Sequence, residues 1–238
     1  MKKFINWLKR IIYSLRKKIF SKLNRAEINY CKQNPVYFIN RYLKTGLYPH
    51  QEKIINTINK ENFVLVKAPR HAGKSICIAK SIVHEMVTNK VTVLFTAFNR
   101  QTIDYGIIGI LSELKTIPEK FGIEVVSFNK SKIALSNGSV LVTNPKAYSI
   151  DIAYYDEFAF YTPEKLEEVF YGIHPKRQVI MSTQRKGSVF NYIWKEANHG
   201  LGRFVPVEFV FEDIPGFQGK KESMIEVLGI EKFEAEYT

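Results

Sequence analysis

Residues 62–75, NFVLVKAPRHAGKS, run from an apolar stretch through a loop ending in Gly73, Lys74 and Ser75 into a segment that is apolar on most faces. That order suits a cradle for an anion. The buried strand aims the chain, the loop turns its amides toward a ligand, and the helix N-terminus adds about half a unit of positive charge. Read against the pattern G-x-x-x-x-G-K-[ST], Lys74 would reach the β- and γ-phosphates of a nucleotide such as ATP, and the Ser75 hydroxyl would hold Mg²⁺. The residues wrapping the phosphates are then Ala68, Pro69, Arg70, His71, Ala72 and Gly73. Ala68 replaces the first glycine of the pattern. A residue with a Cβ resists positive φ and Pro69 has no N–H, so the loop is expected to depart from the usual backbone. The plainer alternative is a lysine at the start of a structural helix.

Residues 150–160, IDIAYYDEFAF, read as a buried strand ending in adjacent carboxylates, Asp156 and Glu157. Like charges side by side are costly to bury unless a cation or hydrogen bonds compensate, which makes a strand tip opening on a metal site a sensible place for them. In nucleoside triphosphatases with this pair, the first acid steadies Mg²⁺ and the second acts as base toward the attacking water. Three further features fit the same chemistry. Gln51, before the first strand, can offer an adenine edge both a donor and an acceptor. Ser182 and Thr183 end another apolar run, where they could sense the γ-phosphate. Arg70, inside the loop, could reach charge that develops in the transition state. Taken singly, each also reads as an ordinary surface or turn residue.

The elements that must position these residues alternate. Strand-like runs fall at 62–67, 91–97, 124–128, 150–155, 178–182 and 204–211, and helical patterns at 51–60, 74–88, 101–116, 163–171 and 189–198. Alternation of this kind implies a mostly parallel sheet with helices on both faces. Asn137-Gly138, flanked by 132–135 and 139–143, is a strong hairpin-turn signal. The 238 residues can bury a full single core, and 45% hydrophobic with 24% charged side chains is ordinary for a globular chain. Cys31 and Cys77 have no metal-ligand spacing and require no disulfide, as suits a reducing cytoplasm.

The net charge of +12 is concentrated at the start: residues 1–25 hold nine Lys or Arg and no acid. In this arm Phe4, Leu8, Ile11, Leu15, Ile19 and Leu23 form one apolar helical stripe opposite a basic face. Lys9, Arg10, Arg16, Lys17 and Lys18 interrupt every apolar run, which excludes a membrane span or signal peptide here. A basic amphipathic helix can pack on its own domain, contact nucleic acid or a protein partner, or lie on a membrane surface. All three remain open.

Taken in order, NPVYF, LYPHQ, APRHAGKS with an internal Arg, YYDEFAF and STQRKGSVFNYIWKEA resemble the ATPase portion of the large terminase subunit of tailed bacteriophages, over roughly residues 34–238. The resemblance implies a P-loop NTPase of the ASCE, RecA-like type, a three-layer sandwich with strand order 5-1-4-3-2, preceded by the basic amphipathic helix. The implied divisions are residues 1–30 for that helix, 31–212 for the ATPase domain and 213–238 for a connector toward a nuclease domain the chain stops short of, so no nuclease activity is expected. By position, Gln51 becomes the adenine contact, Arg70 an arginine finger in cis, Lys74 and Ser75 phosphate and metal ligands, Asp156 the Mg²⁺ residue, Glu157 the catalytic base, and Ser182 and Thr183 the coupling motif. The implied function is an ATP- and Mg²⁺-dependent motor. It would assemble as a homo-oligomeric ring in the host cytoplasm, transiently at the portal vertex of a procapsid, with double-stranded DNA, portal protein and small terminase subunit as partners. Gln184 departs from the family, which often has Pro there. A helicase-like translocase, separable by strand displacement, and an inert nucleic-acid-binding scaffold, separable by an ATPase assay, are the alternatives.

Overall fold

The computed structural model describes residues 25–117 and 121–237. The apolar stripe of the N-terminal arm lies outside them. Helix α1 (residues 25–33), α2 (Pro35–Tyr42) and α3 (Pro49–Lys60) lead into β1 (Phe63–Lys67), α4 (Lys74–Thr88), β2 (Thr92–Ala97) and α5 (Arg100–Lys115). There follow β3 (Val125–Asn129), β4 (Lys132–Leu135), β5 (Val140–Val142), β6 (Ile152–Asp156), the short α6 (Pro163–Leu166), β7 (Arg177–Ser182), α7 (Val189–Asn198) and β8 (Val205–Glu208). Helices α8 (Lys221–Leu228) and α9 (Ile230–Tyr237) close the described chain.

The strands form one eight-stranded sheet in the order β3-β4-β5-β2-β6-β7-β1-β8. Counting only β1, β2, β6, β7 and β8, the order is the expected 5-1-4-3-2, and every neighbouring pair among them is parallel. The hairpin adds an antiparallel flap: β4 pairs with β3 and β5, and β5 runs parallel beside β2. Asn137 in its turn does more than permit the bend. Its side chain donates to Met86 O and Asn89 O at 2.8 and 3.1 Å, which ties the turn to the end of α4.

Side chains alternate between two cores, as the pleat demands. Val64, Val66, Val93, Phe95, Tyr154, Val179 and Met181 face the layer that contains α2 to α5. Leu65, Leu94, Ala153, Tyr155 and Ile180 face α6 and α7, where Phe158, Leu166, Phe190 and Trp194 complete the second core. Burial on both faces is why β1, β6 and β7 read as continuous apolar runs in place of an alternating pattern.

Two details differ from the sequence expectation. Strand β8 ends at Glu208, and the chain makes a short turn at Phe211–Asp213, because Phe211 is drawn into an aromatic cluster with Phe217, Phe233 and Tyr237. Helices α8 and α9 thereby share a small core of their own with Phe211. The segment at 163–171 holds only one regular α-turn before it widens over Glu167–Tyr171. Cys31 and Cys77 are both buried, and no disulfide joins them.

Gly106 is where α5 presses tightly on the sheet: an added Cβ would stand 2.4 Å from the buried Phe95 ring. Overpacking costs about 1–3 kcal/mol, against at most about 1 kcal/mol regained in helix propensity. Gly106→Ala should therefore lower stability by roughly 1–2 kcal/mol in urea denaturation, although the same change at an open helix position would raise it.

Candidate phosphate-binding and catalytic site

The loop between β1 and α4 is held from three sides. Ala68 N donates to Ser182 O on β7 at 3.2 Å, and the His50 ring Nε2 stands 2.9 Å from Ala72 O. A carbonyl only accepts, so His50 carries its proton on Nε2. Gln51 Oε1 accepts from Tyr48 N at 3.1 Å, while its Nε2 lies so near Gly73 that a Cβ there would be 2.2 Å away. Gly73 has φ +82° and His71 φ +63°. The left-handed turns thus fall on these two positions, and Ala68 and Pro69 keep negative φ. The missing glycine is tolerated because this loop does not need positive φ at its start.

Lys74 is 5% exposed, and its Nζ donates to Ala68 O and Pro69 O at 2.9 and 2.8 Å. Burial lowers its pKa, and the nearby Glu157 and Asp156 carboxylates offset part of that. A cation bonded to loop carbonyls is placed to exchange them for phosphate oxygens, which are stronger acceptors.

Asp156 ends β6 with no exposed surface. Its Oδ2 accepts from Ser75 Oγ at 2.6 Å and its Oδ1 from Glu157 N at 3.0 Å. Burial drives its pKa up to about 6; the Ser75 hydrogen bond opposes the rise and the Glu157 charge adds to it. A carboxylate and a hydroxyl this close are hard oxygen donors of the kind Mg²⁺ takes, and Mg²⁺ usually completes its shell with waters and substrate phosphates. Among the described residues no group of three or more His, Cys, Asp or Glu is arranged to hold a metal alone. The Ser75–Asp156 pair fits a metal that arrives with a nucleotide.

Glu157 sits at φ +54°, ψ +38°, an unusual backbone for a side chain of its size and of the sort that concentrates at functional sites. The turn separates the adjacent acids. Asp156 and Ser75 border a cavity of about 370 Å³ between α4 and α5, whereas Glu157 borders one of about 750 Å³ with Arg70, Thr183, Gln184 and Arg185. Ser182 joins the parts: its carbonyl holds the loop at Ala68, and its Oγ accepts from Ala159 N at 3.0 Å, just beyond Glu157. Gln184 Nε2 donates to Asn191 Oδ1 at 3.3 Å, tying the segment after β7 to α7.

The structure therefore gathers Arg70, Lys74, Ser75, Asp156, Glu157, Ser182 and Thr183 at one edge of the sheet, outside the C-terminal ends of β1, β6 and β7. Gln51 is 6% exposed and packs against the loop at Gly73, with its Oε1 accepting from Tyr48 N. Sequence reasoning missed His50, whose only signal was its place beside Gln51, and Glu236, which pairs with Arg70 from 166 residues away and had none.

A phosphate loop on the first strand, a carboxylate pair on the third and this strand order define a P-loop nucleoside triphosphatase fold of the ASCE, RecA-like type. The fold is shared with the ATPase portion of phage large terminases. The large terminase ATPase domain of Thermus phage P74-26 aligns over 83% of this chain and 95% of its own, at 14% identity and TM-score 0.66. The HK97 bacteriophage large terminase aligns over 87% of this chain at 13% identity and TM-score 0.71, but over only 54% of its own length. A large terminase from a thermophilic bacteriophage, in complex with ATP-gamma-S, aligns over 81% of this chain and 52% of its own, at 12% identity and TM-score 0.58. The chain thus spans about half the length of these last two proteins. No protein-family model matches it, and no curated protein matches it in sequence. No helix among the described residues is long and apolar enough to cross a membrane.

The raised pKa of Asp156 has a definite sign. Its folded-state value lies above the ordinary carboxylate value, so ionisation opposes folding, and stability present below about pH 4 is lost as pH rises through about 6. Without divalent cations, Asp156→Asn should therefore be more stable than wild type by roughly 1–3 kcal/mol at pH 7.5 and about equal to it at pH 4 in urea denaturation.

Proposed function

We propose that this chain hydrolyses ATP to ADP and phosphate, Mg²⁺-dependently, as the motor portion of a viral DNA-packaging terminase large subunit. The observation that carries this reading is the convergence of Lys74, the Ser75–Asp156 pair and Glu157 with Thr183 on one sheet edge, in a fold shared with terminase ATPase domains.

Each side chain has a role that follows from its surroundings. Lys74 exchanges two loop carbonyls for β- and γ-phosphate oxygens, while the amides at the start of α4 face the same anion. Ser75 and Asp156 would hold Mg²⁺, which when bound neutralises charge on the β- and γ-phosphates. Glu157, displaced from its neighbour by the left-handed turn, orients a water against the γ-phosphoryl group and accepts its proton. Arg70 contributes where charge grows in the transition state, in cis. Ser182 and Thr183 couple loss of γ-phosphate to movement, since Ser182 already bonds both the phosphate loop and the segment after Glu157. Gln51 is assigned to the adenine side, where its remaining amide capacity would read the base, in addition to its support of Gly73.

As a motor this chain would act on double-stranded DNA with portal protein and small terminase subunit, as a ring on the procapsid in the host cytoplasm. Hydrolysis energy becomes translocation only if loop and coupling strand move together, which their direct hydrogen bond favours.

Lys74→Ala should abolish hydrolysis and weaken ATP binding, because the lysine contacts phosphate in both ground and transition states. Glu157→Gln should bind ATP with near-normal affinity and turn over at least about a hundredfold more slowly. Calorimetric titration and steady-state phosphate release measure both; a fully active Glu157→Gln refutes the base assignment.

DNA contact has its own test in the salt dependence of duplex binding. Counterion release gives a log–log slope of about −0.9 per neutralised phosphate, so removing residues 1–25 should flatten the slope by several units and leave ATP binding intact. An unchanged slope in the shortened chain would place the DNA surface elsewhere.

A further inference from the structure

Helix α9 returns to the mouth of the site. Arg70 Nη1 donates to Glu236 Oε1 at 2.8 Å, and Arg70 N donates to Glu236 O at 2.9 Å. Next to these contacts the His71 and Tyr237 rings lie 6.5 Å apart. The helix is anchored from behind by Phe233, 1% exposed, and Tyr237, 6% exposed, both packed on Phe211. On its open side, Glu231, Glu234 and Glu236 border the cavity of about 750 Å³ that also holds Glu157 and Thr183.

This arrangement opposes anion binding. A loop whose amides and cations suit phosphates is bordered here by the Glu231, Glu234 and Glu236 carboxylates. One loop amide, that of Arg70, is already bonded to the Glu236 carbonyl oxygen. The guanidinium beside it is engaged as well, and a guanidinium holds a carboxylate and a phosphate through the same donors. Glu236 and an incoming phosphate therefore compete for one side chain. Loss of this pair removes a direct tie between α9 and the phosphate loop, while the aromatic cluster continues to hold the helix from behind.

We propose that α9 is a latch displaced by nucleotide: Glu236 holds Arg70 until the γ-phosphate takes Arg70 from it and frees α9 from the loop. The proposal rests on the reading that the loop binds ATP. It gives occupancy of the site a mechanical output in the α8–α9 pair, distinct from the connection through Ser182. No covalent step is involved.

The test is a double-mutant cycle in the full chain, read by titration with ATP-gamma-S and Mg²⁺. The ion pair is partly exposed, 55% at Arg70 and 25% at Glu236, so breaking it alters binding modestly. Glu236→Gln should tighten ATP-gamma-S about two- to fivefold with unchanged Tm, and Glu236→Asp, one methylene shorter, should fall between it and wild type. Loss of one negative charge near an anion site could tighten binding without any latch; the cycle separates the cases. In an Arg70→Ala background a latch predicts that Glu236→Gln has no further effect, and a general charge effect predicts the full gain again. Hydrogen exchange of amides 230–237 should also accelerate when ATP-gamma-S is added to wild type. Equal gains in both backgrounds, no gain in either, or unchanged exchange would each overturn the latch while nucleotide binding stands. Wild-type protein that binds no ATP-gamma-S would instead overturn the nucleotide reading beneath it.

Discussion

A carboxylate with no exposed surface sits at the end of the central strand β6, and the site is organised around keeping its charge tolerable. Asp156 has a hydroxyl on one oxygen and an amide on the other, and burial still holds its pKa near 6. Two hydrogen bonds do not replace the water it has lost. The remaining deficit is an attraction for a cation. It requires α4 to begin beside the strand tip, so that Ser75 reaches Oδ2, and it requires Lys74 to lie within electrostatic reach, where Asp156 and Glu157 offset the effect of its own burial. Strand order, loop length and helix start are all conditions of this one buried charge.

Neighbouring acids would compound that cost if both entered the same space. The left-handed turn at Glu157 prevents this by sending the two carboxylates to different cavities. An unfavourable backbone conformation is accepted in return for keeping the two carboxylates out of one enclosed space. The loop shows the same restraint. Positive φ is confined to His71 and Gly73, and Gly73 is locked by the amide of Gln51, which leaves no volume for any side chain. His50 and Gln51 thereby turn the start of α3 into a support for the loop from below, while Ser182 ties it laterally.

Helix α9 adds a constraint from above. The face of the loop where phosphates would arrive is bordered by carboxylates, with Arg70 already bonded to one of them. Any anion entering here must compete with these carboxylates for Arg70. The same arrangement ties α9, which shares an aromatic core with Phe211, to the loop through Arg70.

Much of this was legible in the residue order. Alternating apolar runs and helical periods determined a parallel sheet between helices, because only a doubly covered strand can be apolar at every position. The GKS turn and the DE strand end are each legible because they consist of adjacent residues, and the structure brings them together through the Ser75–Asp156 hydrogen bond; Asn137-Gly138 located the hairpin for a similarly local reason. The sequence did not determine how Ala68 and Pro69 would be accommodated, that Asp156 and Glu157 would face apart, that His50 would bond Ala72, or that Glu236 would meet Arg70. Those outcomes depend on backbone turns and on packing between segments as much as 166 residues apart, where no spacing rule operates. Local chemistry is written in neighbouring residues, whereas burial and the partners of each charge are properties of the closed chain, and only the tertiary structure decides them.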